Sequence, residues 1–292
     1  MYCIYTNTNF DDKNSTIQHI IPLSLGGVDE FCINIDSNKN SQMSSKIEGP
    51  LINEFTTFLY RMNREIKGQS NKQPEYKIRA NINDNPVSIK WNKDIIDIFD
   101  PINKSHLNHS DIGDNPIHMR IKIDLYTRLR FLAKIALETG YFLFQEDFIN
   151  HADCETLRKA IFEEINENTK LDLAIYDNFT PNEAVSDSNK GMFQLVKLLI
   201  EYINESCVIL RYFKNRIIVD VGIMGKFLGS INFSVSDMDK IPVIDEFRQG
   251  QVLICQNKKL YCESLYNATL HLNKYYNFID IENYESNAET EE

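Results

Sequence analysis

His19 lies in a short apolar run, and Asn40 follows it by 21 positions in a polar, helix-prone segment. A histidine near neutrality can take a proton from water, and amide or carboxylate oxygens can hold a hard divalent cation. Set across a phosphodiester, such a pair lets water attack phosphorus while the cation stabilises the developing charge. Gln18 and Glu48 offer further oxygens, and Lys46, Arg61 and Arg64 offer positive charge for phosphate. Plainer roles stand beside each of these. His19 can be a hydrogen-bonded strand residue, and Asn40 an N-cap whose side-chain oxygen accepts from backbone N–H groups. Glu48 either ends a helix or closes the metal site. Arg61 and Arg64 either touch phosphate or form the solvated face of a helix.

The elements that must position these residues are short. Residues 16–21, TIQHII, read as a strand ended by Pro22, and Gly26-Gly27 supplies the backbone freedom for a sharp turn. A helix is expected to begin near Asn40 or Ser41. Residues 2–5 are apolar and β-prone and are expected to pair beside this strand. Pro50 suits the first turn of a second helix, with Leu51, Phe55, Phe58, Leu59 and Met62 at helical spacing through about Ile66.

Two stretches carry a family resemblance. Gln18-His19-Ile20-Ile21-Pro22-Leu23-Ser24-Leu25-Gly26-Gly27 and Asn40-Ser41-Gln42-Met43-Ser44-Ser45-Lys46-Ile47-Glu48-Gly49-Pro50 resemble a branch of the HNH endonuclease family. The resemblance implies a ββα-metal motif with His19 as general base and Asn40 in the metal site. It implies Mg²⁺ or Mn²⁺ as the metal, with Ni²⁺ or Zn²⁺ as alternatives, and DNA as the substrate. Bacterial defence or a mobile element is the context that the family suggests.

This chain departs from the pattern in two places. The family's two C-x-x-C pairs are reduced to Cys3 alone, with Asp36-Ser37-Asn38-Lys39 where the second pair would stand. A structural zinc needs four N or S ligands, so none is expected. Cys32 reads as a half-buried thiol. Gln18 replaces the family's acid, and a neutral amide is a weaker ligand for a hard cation. Glu48 is the carboxylate that could complete the site. The other reading is therefore a weakened module on the same scaffold, binding nucleic acid or a protein without cutting.

The 292 residues suffice for two domains of ordinary size. No run of 18 apolar residues and no signal-like N-terminus appears, and six scattered cysteines show no framework spacing, so a cytoplasmic protein with no membrane association is expected. The net charge of −11 argues against gripping phosphate. Residues 1–140 balance 17 basic against 17 acidic, whereas residues 141–292 carry 14 against 25. The acidic half is thus expected to serve a homo-oligomer or a protein partner.

The remaining pattern gives an α+β chain: the N-terminal motif, a mainly helical middle and a C-terminal antiparallel meander. Three regions are expected. Residues 1–66 hold the motif, 67–140 a strand-rich connector with a helix packed on it, and 141–292 an acidic helical and β region. Within the second, 75–92 reads as a hairpin, 94–115 as irregular and 117–123 as a strand. His106 and His109 form an H-x-x-H that invites a metal, but no regular element is expected there to fix it.

Residues 125–139 form the clearest helix, with Leu125, Leu129, Leu132, Ile135 and Ala136 as its stripe and Gly140 as its C-cap. Arg128, Arg130 and Lys134 give it a basic side. Residues 130–136 resemble an R-x-x-A-K-I-A segment of the same family, leaving Lys134 as either a substrate contact or a solvent-facing lysine.

Overall fold

A computed structural model describes residues 1–67, 72–163, 171–179, 187–242 and 248–276. The sequence also shows a polar linker over 67–73, a helical pattern over 154–166, Glu183 in a loop-like stretch and an acidic tail after 280; part of the linker, the end of that pattern, Glu183 and the tail lie outside the described residues. The chain is a mixture of helix and strand with a C-terminal antiparallel sheet. No described helix is long and apolar enough to cross a membrane.

The N-terminal part begins with β1 (Tyr2–Cys3), paired with β2 (Thr8–Asn9). It does not pair with the strand that carries His19, because the turn at 4–7 folds it back on itself. β3 (Ser15–His19) pairs antiparallel with β4 (Cys32–Asp36), and α1 (Ser37–Met43) follows at once. The helix starts earlier than expected because Asp36 caps it, its carboxylate accepting from the Asn38 and Lys39 amides. A π turn, Ser44–Glu48, leads into α2 (Gly49–Ile52) and α3 (Phe55–Asn63). The single helix expected over 50–66 is two, because Glu54 is extended (φ −65°, ψ 144°) and turns inward to pair with Arg128.

The connector between residues 76 and 119 is strand-rich. β5 (Tyr76–Ile82), β6 (Asn85–Trp91), β7 (Ile96–Asp100), β8 (Ser105–Leu107), the short α4 (His109–Ile112) and β9 (Ile117–Met119) build a five-stranded sheet in the order β8-β7-β6-β5-β9. The stretch 94–115 is therefore largely ordered. Ile98 joins Ala80, Ile82, Val87 and Ile89 in a small core, and the buried Asp100 caps the turn toward β8 by accepting from the Ile102 and Asn103 amides.

The helix α5 (Leu125–His151) organises the rest, with α6 (Cys154–Phe162) packed along it. β10 (Ala174–Asp177), α7 (Asp187–Ile203), β11 (Ser206–Phe213), β12 (Arg216–Ile223), β13 (Lys226–Ser234), β14 (Gly250–Gln256), β15 (Lys259–Ser264) and α8 (Leu265–Tyr276) complete the chain. The C-terminal sheet runs β10-β13-β12-β11-β14-β15, so it is not a simple meander: β14 crosses to the far side of β11. Val208 and Leu210 join the core shared with α5. Cys207 and Ile209, on the opposite face, meet Val196, Leu199 and Ile200 of α7 and Leu265, Ala268 and Leu272 of α8. The alternation buries β11 on both faces.

Because the N-terminal part covers the other side of α5, that helix is buried nearly all round rather than amphipathic. Ile20, Ile21, Leu25 and Phe31 share one core with Phe131, Leu132, Ile135 and Leu210. Gly140 is not its C-cap: the helix continues, with a break at Gln145 (φ 48°, ψ −119°). Gly140 is small because the Phe148 ring lies where its Cβ would be, only 2.1 Å away. Gly140→Ala must therefore displace a fully buried ring that packs edge-on against Phe233. The expected cost is about 1–3 kcal/mol in urea unfolding, and it should shrink when Phe148 is replaced by Leu.

Candidate functional site

The cleft lies between β3 and the π turn. Thr16, Gln18, His19, Asn40, Glu48 and Arg61 are among the residues that line its volume of about 580 Å³. His19 ends β3, and the chain then dives inward, with Ile20 N–H still donating to Phe31 O at 2.9 Å. The loop returns sharply because Gly27 packs on the Ile21 carbonyl, where a Cβ would lie 1.8 Å from the oxygen. That return brings Asp29 back to the strand end. Its Oδ1 lies 3.0 Å from His19 Nε2. A proton on Nε2 would leave Nδ1 as the basic nitrogen.

Asn40 sits within α1 rather than at its cap. Its Nδ2 donates to Ile17 O at 3.1 Å and Thr16 Oγ1 at 3.3 Å, tying α1 to β3. His19 and Asn40 thus share one cleft wall. Arg61 reaches the same cleft from α3. It is 8% exposed, and its Nε has no hydrogen-bond partner. Lys46, by contrast, is solvent-exposed and lies outside the cleft lining. Arg64 is committed elsewhere, donating to the backbone and side-chain oxygens of Asn204 ahead of β11.

Behind the cleft lies a charged network centred on Lys134. Its ammonium, fully buried, donates to His19 O at 3.0 Å and Ile20 O at 2.7 Å. It lies 3.0 Å from Glu48 Oε1 and 2.8 Å from Glu138 Oε2, the latter an ion-pair contact rather than an aligned hydrogen bond. Gln18 Nε2 donates to the same Glu48 oxygen at 2.6 Å and to His19 O at 3.0 Å, while Ser44 Oγ donates to Glu48 Oε2 at 3.4 Å. The Tyr5 hydroxyl donates to Glu138 Oε1.

Burial pushes the Glu138 carboxyl up to about 8, against the opposing pull of Lys134 and Tyr5. Burial also works against charge on Lys134, but Glu138 and Glu48 outweigh it and raise its pKa. The Tyr5 hydroxyl is raised well above its usual range by burial, with Glu138 adding to the effect.

This arrangement does not fit a divalent cation held by Gln18 and Glu48. Gln18 is 2% exposed with its amide N–H turned to Glu48, and the carboxylate of Glu48 already serves Lys134, Gln18 and Ser44. Asn40 Oδ1 and Gln18 Oε1 are the oxygens of these side chains that none of these hydrogen bonds uses. Among the described residues no group of three His, Cys, Asp or Glu is placed to hold a metal ion. The H-x-x-H forms no such group: His106 pairs with Asp97 at 2.5 Å and His109 opens α4.

Sequence reasoning missed Asp29 and the true surroundings of Lys134. The signal for Asp29 was an acid just beyond a Gly-Gly turn after the histidine. For Lys134 it was a lysine inside the otherwise apolar run Phe131 to Leu137, with a glutamate four positions on, just past the run's end. In comparisons with known proteins, no family model, curated protein or solved structure gives a significant match to this chain.

Proposed function

We propose that the cleft is a nucleic-acid phosphodiester site on a ββα scaffold of the HNH endonuclease type, with His19 as general base. The observation that carries this reading is the pairing of His19 Nε2 with Asp29 at 3.0 Å at the edge of a cleft that Asn40 and Arg61 also line. Asp29 holds one ring nitrogen, so the other takes the proton from the attacking water. Arg61, which lines the cleft from α3, supplies the positive charge that meets the phosphate. Asn40 ties α1 to β3 on the cleft wall that carries His19. DNA is the substrate in this reading, and the neutral first 140 residues, rather than the acidic remainder, face it.

A second reading has its own observation. Gln18 and Glu48 are turned toward Lys134, which favours a module that binds nucleic acid or a protein without cutting.

Supercoiled-plasmid nicking at low salt separates the two, run with Mg²⁺, Mn²⁺ or Ni²⁺ and with EDTA. Nicking that falls about tenfold or more in Asp29→Asn supports the base assignment, since an amide holds the imidazole less well than a carboxylate. DNA retention on a gel without nicking under any condition selects the binding module.

A further inference from the structure

We propose that the Lys134 ammonium is the resident cation of this site and stands where a metal ion would otherwise gather the same oxygens. The Glu48 carboxylate, the Glu138 carboxyl and two carbonyls, His19 and Ile20, surround Nζ at 2.7–3.0 Å. That is the oxygen set that a hard divalent cation collects. Here it encloses an ammonium with three N–H donors and no exposure to solvent.

The cation also accounts for Gln18. A third carboxylate at position 18 would crowd around a single positive charge, whereas the amide donates to the Glu48 oxygen that already accepts from Lys134. Glu48 is therefore the link between Gln18 and Lys134, not a metal ligand. The ammonium further pins the two carbonyls where β3 gives way to the returning loop, at the residue that carries the imidazole.

The proposal rests on reading this cleft as the phosphodiester site, but its test reads metal binding and not cleavage. Mn²⁺ is titrated into the full chain and the free ion is followed by electron paramagnetic resonance. Wild type and Glu48→Gln are expected to bind Mn²⁺ within about twofold of each other, because the carboxylate is already engaged. Lys134→Ala empties the oxygen cage toward the cleft and is expected to bind Mn²⁺ about tenfold more tightly than wild type. That gain should be lost again in Lys134→Ala/Glu48→Gln.

Wild-type Mn²⁺ binding that weakens about tenfold in Glu48→Gln would overturn the proposal. So would a folded Lys134→Ala chain that gains nothing. If Lys134→Ala does not fold, the wild-type and Glu48→Gln pair decides alone. Absent nicking alongside the expected Mn²⁺ pattern removes the catalytic reading and leaves this one standing. Nicking that depends on His19, together with Mn²⁺ held through Glu48, does the reverse.

Discussion

His19→Ala is expected to lower plasmid nicking by about 10²–10⁴-fold, the usual yield of a positioned general base. The melting temperature should stay within a degree or two of wild type, since a surface change of this kind is usually worth about 0.5 kcal/mol or less. The side chain is only partly covered, at 22% exposure, and its one side-chain partner, Asp29, is itself 87% exposed. The bonds that hold the strand end run through the His19 carbonyl, which alanine retains. DNA affinity should change little, because Arg61 and not His19 is assigned to the phosphate. The measurement is the single-turnover nicking rate beside a gel-shift titration. A His19→Ala chain that nicks at the wild-type rate would place the chemistry elsewhere; one that no longer binds DNA would make His19 a contact residue.

Much of the scaffold was legible because it follows from short-range rules. The C-terminal antiparallel sheet was expected, and the Gly-Gly turn marked the loop after His19. His19 and Asn40 were placed on successive elements, and the structure brings both to one cleft.

What failed to show depended on long-range packing. The crossing of β14 to the far side of β11 leaves no local trace. Arg128 and Lys134 read as the basic side of an amphipathic helix, yet α5 is covered on both sides. Arg128 therefore pairs with Glu54, 74 positions away, and Lys134 turns to Glu48. A buried cation is indistinguishable from a surface one until its partner is located. Asp29 was hidden for a related reason: ten positions from His19, it reaches the imidazole only because the intervening loop doubles back.

Lys134→Met should be the most damaging single change in the chain, costing about 3–5 kcal/mol, the usual price of removing one partner from a buried ion pair. Methionine fills much of the same volume, so the loss is electrostatic and not a cavity. It leaves Glu48 and Glu138 without their cation and the His19 and Ile20 carbonyls without that donor. Against a typical total of about 5–15 kcal/mol, this lowers the melting temperature on the order of 10 °C.

If charge is the cause, the double variant Lys134→Met/Glu138→Gln should recover the part of the loss that comes from ionised Glu138, a part that grows as pH rises. The pH dependence supplies an independent check. Burial raises Glu138 from 4.5 to about 8, so the folded chain holds a proton there that the unfolded chain has released. Its contribution to stability is therefore greatest below about pH 4.5 and falls as pH rises toward 8. Glu138→Gln cannot ionise and should lack this slope. Urea unfolding of both chains at pH 5 and pH 8.5 is expected to show wild type losing ground to Glu138→Gln by on the order of a few kcal/mol as pH rises. A difference that stays constant across that window would mean that Glu138 is ionised throughout. Lys134 would then sit between two full carboxylates, and the double variant should recover correspondingly more.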